Sequence, residues 1–214
     1  MSIRVGRSAL AIAVLSLVLA NSVRAQLKVE LGATIGAYSP LGSFQPASVY
    51  STALPGSPSS LGGTAFGGQI RLWVSPRLGF ELAGATTSSS FGGGFSPGGE
   101  VPRQSARVTT GTAQLLVLVT GDGSRARMWV GAGGGAIQHG GAAYASFGKP
   151  VNYGLALGLG SAIRVVGALS ADLGITSLIY NLNIRGSEAT DPGPSERGTQ
   201  ADLLFRAGVS YSIH

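Results

Sequence analysis

The chain has no cysteine. That absence alone excludes thiol catalysis, iron–sulfur centres and cysteine-based zinc sites. Charge is scarce as well: Asp, Glu, Lys and Arg make up 11% of the 214 residues, against about 25% in ordinary soluble domains. Histidine occurs only at His139 and His214. Long apolar runs are missing too, since nothing after residue 25 approaches the ~18 apolar residues of a membrane helix. What the chain has in quantity is glycine, 35 residues, with a hydrophobic fraction of 44%. Its apolar residues must therefore be distributed in some pattern other than a spanning helix.

The N-terminus is read first, because it bears on location and not on fold. Arg4 and Arg7 precede an apolar run from Ser8 to Ala20, and Val23-Arg24-Ala25 offers small or aliphatic residues where signal peptidase cleaves. The run is too short for an uncleaved anchor, which needs ~20 residues. Residues 1–25 are thus expected to be a cleavable signal peptide, without a lipoprotein cysteine, and residues 26–214 a single domain. Removing Arg4, Arg7 and Arg24 leaves twelve basic against nine acidic side chains and lowers the net charge from +6 to +3. No Lys/Arg cluster suited to a phosphate backbone occurs, so no nucleic-acid partner is expected.

Alternation is the dominant pattern. In Ala201–His214 the residues Ala201, Leu203, Phe205, Ala207, Val209, Tyr211 and Ile213 share one parity. Asp202, Arg206, Gly208, Ser210 and Ser212 share the other, with Leu204 as the one apolar intruder. Successive strand side chains point to opposite faces, so this is a strand with one apolar and one polar or small face. Seven further segments read the same way: Leu27–Tyr38, Thr64–Val74, Leu78–Thr87, Arg107–Val119, Arg127–Gln138, Val151–Val165 and Leu169–Leu182. Leu116 and Leu118 blur the polar parity of the fourth, and the fifth is mostly Gly and Ala.

The connections alternate as strictly as the side chains. Tight joins at Ser75–Arg77, Thr120–Ala126 and Gly167 intersperse with long ones at Ser39–Gly63, Ser88–Ala106, His139–Pro150 and Asn183–Thr199. An up-and-down barrel puts all short turns on one rim and all long loops on the other. Greek-key sandwiches give no reason for that regularity, and a soluble lipocalin-like barrel turns its apolar parity inward, where this chain would carry Glu, Arg, Asp and Gly. In hydrocarbon every backbone polar group must be paired, so the sheet must close. The expected fold is all-β: an eight-stranded antiparallel up-and-down transmembrane β-barrel, Ala201–His214 pairing with Leu27–Tyr38.

These residues resemble the small eight-stranded outer-membrane proteins of the OmpA/OmpX/opacity type. The resemblance covers the whole chain after the signal and rests on Trp129-Val130-Gly131-Ala132-Gly133, Leu157-Gly158-Leu159-Gly160 and the closing Gly208-Val209-Ser210-Tyr211-Ser212-Ile213. It implies an outer-membrane location and contact with outer-membrane lipid and lipopolysaccharide. It also implies insertion by the barrel-assembly machinery and a monomer. Barrels of this kind usually end on an aromatic residue, whereas this sequence has Ile213-His214.

Candidate chemistry is sparse. Gly131–Ala136 matches G-x-G-x-x-A, but a dinucleotide site needs those glycines at a strand-to-helix turn, and no helical period follows. His139 and His214 have no Ser-and-carboxylate cluster around them from which a triad could be built, and two histidines on opposite rims do not make a metal site. No catalytic, cofactor or metal residue is assigned, and no cofactor is expected. Arg164 with Asp172, and Arg71 with Glu81, flank tight turns on the polar parity and are expected to pair across strands, with Arg206 and Asp202 joining them. Phe80, Trp129, Tyr153 and Tyr211 read as interfacial girdle residues. Trp73 has inward parity, so either the register slips there or the ring plugs the lumen.

The expectation for function is a non-enzymatic outer-membrane barrel that displays its loops in a structural or adhesive role. Binding residues would then lie in the long connections, among Phe44, Val49, Tyr50 and Leu54, or Arg185, Glu188, Asp191, Glu196 and Arg197. The alternatives are a narrow channel or small-solute transporter and a lipid A-modifying enzyme.

Overall fold

A computed structural model describes residues 27–41, 62–91, 95–96, 99–100, 104–120, 124–141, 151–184 and 196–213. Eight long strands follow one another: β1 (Lys28–Pro40), β2 (Gly63–Trp73), β3 (Leu78–Phe91), β4 (Gln104–Leu118), β5 (Ala126–Gly140), β6 (Val151–Val166), β7 (Leu169–Ile184) and β8 (Glu196–Ile213). Each pairs antiparallel with its sequence neighbours, and β1 pairs with β8 from Val29↔Ile213 to Pro40↔Asp202, closing the barrel. A ribbon of Phe95–Ser96 against Gly99–Glu100 lies between β3 and β4. The described residues contain no helix.

The strands match the expected segments and outrun them at the loop end. β3 and β4 continue pairing through Ser88↔Arg107 to Phe91↔Gln104, and β7 and β8 through Asn183↔Arg197 to Ile184↔Glu196. Ser, Thr and Gln carry no apolar alternation there, yet their backbones still satisfy one another across the ladder. Residues 1–26, most of Ser39–Gly63 and His214 lie outside the described residues. The signal peptide, Phe44, Val49, Tyr50, Leu54, Arg185, Glu188 and Asp191 are therefore not placed.

Turn chemistry explains the tight rim. Ser75 Oγ accepts from the N–H groups of Leu78 (3.0 Å) and Arg77 (3.3 Å), which holds the β2–β3 turn. Gly167, at φ 54°, supplies the left-handed backbone that a two-residue hairpin needs at its first central position. A bulge between Arg164 and Val166 precedes it.

The wall is polar inside and apolar outside. Leu31, Ile35, Phe66, Leu82, Leu155, Leu157, Leu173, Val209 and Tyr211 are exposed, while Glu30, Arg71, Glu81, Asp172 and Asp202 are buried. A protein in water has no reason to expose so many large apolar side chains and bury its charges. The inversion fits a closed sheet whose outer solvent is hydrocarbon.

Candidate functional site

The inward-facing residues form three tiers along the lumen, and the lowest lies nearest the tight turns. Trp73 of β2 and Trp129 of β5 meet edge to face, with ring centroids 6.3 Å apart and planes at 76°. Leu116 and Leu118 from β4 and Ala162 from β6 complete this cluster. The two leucines that blurred the β4 pattern are thus core residues. Arg71 lies over the Trp129 ring at 4.1 Å and Arg127 over Trp73 at 5.6 Å, so the rings also carry cation–π contacts. Trp73 does plug the lumen. Trp129, by contrast, was expected in the outer girdle and is inside at 3% exposure, because the Arg127 parity of β5 faces inward. Phe80, Tyr153 and Tyr211 face outward as expected.

The middle tier is an ion network centred on Arg71, which is 2% exposed. Its Nε donates to Glu81 Oε2 at 2.8 Å and its Nη1 to Asp172 Oδ1 at 2.6 Å, with Glu30 Oε2 at 3.6 Å. Arg206 Nη2 donates to Glu81 Oε1 at 2.9 Å and to Thr176 Oγ1 at 3.2 Å, while Nη1 donates to Gln69 Oε1 at 3.2 Å. Below it, Arg127 Nη2 and Lys28 Nζ reach Glu30 Oε1 at 2.6 and 2.8 Å. Four cations face three carboxylates here. Charges so far from water persist only when paired and hydrogen-bonded.

Two pairings differ from expectation. Arg71 and Glu81 do pair, directly opposite one another on β2 and β3. Asp172, however, is opposite Ala162, and Arg71 reaches it across the lumen. Arg164 lies beside the bulge, opposite Ser170, and is exposed. Arg206 joins the network as expected, but Asp202 does not.

Asp202 belongs to the third tier, near the long loops. Its Oδ2 accepts from Tyr38 Oη at 2.7 Å and Tyr180 Oη at 2.8 Å, and its Oδ1 from Gln200 Nε2 at 3.2 Å. Around these tyrosines pack Ala65, Ala106, Val108, Ile137, Ala156 and Leu178, with Leu204 against them. Leu204, the apolar intruder of β8, separates Arg206 from Asp202 because this tier needs an aliphatic side chain there. His139 lies one residue before the end of β5, and its Nε2 is 3.5 Å from Tyr180 Oη. His214 lies outside the described residues.

Inward glycines make room for this filling. A Cβ on Gly36, Gly133 or Gly154 would run into the backbone of the neighbouring strand, and one on Gly160 into the Trp129 ring. The Gly131–Ala136 segment is mid-strand, without the turn into a helix that a pyrophosphate site requires. Among the described residues no group of three His, Cys, Asp or Glu side chains could hold a metal ion.

No protein-family model and no curated protein matches the chain. Solved structures do match. The outer membrane protein OprG from Pseudomonas aeruginosa has a TM-score of 0.54 at 14% identity, covering 88% of this chain and 95% of its own. Outer membrane protein AlkL, solved in lipid bilayers, has a TM-score of 0.54 at 16% identity, covering 88% of this chain and 90% of its own. Neisserial surface protein A gives 0.50 at 13% identity, covering 86% of this chain and 96% of its own. At such identities the likeness is one of architecture: the chain has the fold of the small eight-stranded outer-membrane barrels.

Proposed function

We propose that this protein is a non-enzymatic barrel of the outer membrane, exported by a signal peptide cleaved after Ala25. It spans the membrane as a sealed post and holds its long connections at the cell surface in a structural or adhesive role. The observation that carries this reading is the filled lumen inside an apolar wall. The Trp73–Trp129 tier and the Tyr38–Ile137–Tyr180 tier stop the bore at two levels, with the Arg71 network between them. Eight strands leave an interior just wide enough for such side chains. Among the described residues, the carboxylates of the Arg71 network are paired with arginine or lysine, which supports a structural use of those charges.

Three measurements test this. The mature protein should begin at Gln26, fractionate with the outer membrane and migrate on gels in a heat-modifiable way. Recovery wholly in the soluble periplasm would overturn the reading. In planar bilayers it should give no single-channel steps, and regular steps would favour the channel alternative instead. Incubation with lipopolysaccharide should leave its acyl chains intact by mass spectrometry; acyl loss would make the protein an enzyme.

A further inference from the structure

The two charged tiers of the lumen are balanced differently. Every carboxylate of the Arg71 network has an arginine or lysine partner, whereas Asp202 of the loop-end tier forms no ion pair among the described residues. An apolar layer that includes Val108, Ile137 and Leu178 encloses it instead. Hydrogen bonds lower the cost of burying a carboxylate but do not cancel its charge.

Three more groups able to ligate a metal converge on this carboxylate. Tyr38 of β1 and Tyr180 of β7 flank Asp202 diagonally, opposite Leu204 and Gln200 of β8. Both hydroxyls reach the same oxygen, Oδ2, at 2.7 and 2.8 Å. His139 comes across β6, whose inward residues there are the small Gly154 and Ala156, and holds its Nε2 3.5 Å from Tyr180 Oη. That distance is at the far limit of a hydrogen bond. It is ordinary for two atoms sharing a metal, since ligands about 2.0–2.2 Å from one ion stand roughly 3.0–3.4 Å apart. All four side chains are at most 5% exposed. Gln200 Nε2 donates to Asp202 Oδ1 at 3.2 Å and so orients the carboxylate with Oδ2 toward the phenols, as an outer-shell partner does.

We infer that this tier is an iron(III) site, with Tyr38 and Tyr180 as phenolates, Asp202 through Oδ2 and His139 through Nε2. The donor set selects the metal. Three anionic oxygens are hard ligands, and imidazole suits iron as well as softer transition metals. Two phenolates and one carboxylate neutralise a trivalent ion, so the occupied site is uncharged within its apolar surround. A divalent ion would leave one negative charge there, at a cost in a medium of low dielectric. Binding releases the two phenolic protons to solvent, and His139 coordinates as neutral imidazole with its proton on Nδ1. Only two of the four donors belong to the His, Cys, Asp and Glu set, so the phenols complete the site. The position suits an ion arriving from the loop side. Tyr38, Tyr180 and Asp202 stand on the last rungs of the β1–β2, β6–β7 and β1–β8 ladders, and His139 on the next to last of β4–β5.

The inference needs only the geometry of the barrel, so its test is separate from fractionation and conductance. The protein, purified in detergent and stripped with a chelator, is titrated with ferric nitrilotriacetate. One iron should be retained per chain, with a visible phenolate-to-iron charge-transfer band, and the urea midpoint should rise on binding. Gln200→Leu, which removes the bond to Asp202 Oδ1, should weaken retention about 10- to 100-fold. Tyr38→Phe or Tyr180→Phe should weaken it further and alter the band, and the two together should abolish the band. Tyr153→Phe, on the outer wall, should change nothing. Heat-modifiable migration reports folding of each variant, and if the double variant does not fold, the single ones carry the test. Folded wild type that retains no iron, or holds it without the band, would overturn the inference. So would a band unchanged in both single phenylalanine variants, or retention of zinc(II) or copper(II) in preference to iron(III).

Discussion

Both faces of the barrel wall carry arginine and glycine, and they use them in opposite ways. Inside, Arg71 is ringed by Glu81, Asp172 and Glu30, and glycines such as Gly36 and Gly133 sit where a Cβ would collide with the next strand. Outside, Arg107 has no carboxylate partner among the described residues, and Gly111 faces open space. The interior choices follow from packing and charge balance within the molecule. The exterior ones find no cause in the fold itself. A residue type therefore does not announce its role; its surroundings do.

Substitutions on the two faces should separate cleanly. Arg71→Met would leave the buried Asp172 without its cation partner and should cost about 3–5 kcal/mol, read as a lower midpoint of urea unfolding in detergent. Arg107→Gln should move that midpoint by less than ~0.5 kcal/mol; matching losses from both would erase the contrast. Gly36→Ala forces a methyl into the Phe205 backbone and should cost about 1–3 kcal/mol. Gly111→Ala should be nearly silent in the same assay. An effect below that of Gly36→Ala is expected at Tyr180→Phe, which takes one of two hydroxyls from Asp202: about 1 kcal/mol. Opposite in sign is Gln114→Leu. Neither amide atom of that buried side chain is hydrogen-bonded, so an apolar replacement should leave the midpoint unchanged or raised by up to ~1 kcal/mol.

Much of the barrel could be read from the chain, because lipid outside and a narrow lumen inside impose contrast on every second residue. Val151–Val165 shows it most plainly: Tyr153, Leu155, Leu157 and Leu159 face out, and Asn152, Gly154, Gly158 and Gly160 face in. Where both faces are small the contrast fails. In β5 the glycines and alanines leave parity undefined, and Trp129 faces the lumen where a girdle residue would face out. Arg127, two positions before it, held the missing signal, since a charge inside the membrane span must point inward and fixes its neighbour's side. Strand ends in Ser88–Phe91 and Glu196–Gln200 leave no such signal, because a hydrogen-bonded ladder continues without hydrophobic alternation. Contacts across the lumen, such as Arg71 to Asp172, depend on which strands face each other, and local spacing cannot carry that.

The seam between β1 and β8 governs how this molecule can fold. Val29 meets Ile213, so the contact that removes the last open edge is also among those most distant along the chain. Every other strand pair forms between sequence neighbours and can assemble as successive hairpins. Closure must wait for the entropy of the whole intervening chain to be overcome, which makes it intrinsically slow. Until then two unsatisfied strand edges face the bilayer, and partly built sheets have no stable resting state there. Assembly is accordingly expected to be all-or-none, with the rate set by closure and not by any single hairpin.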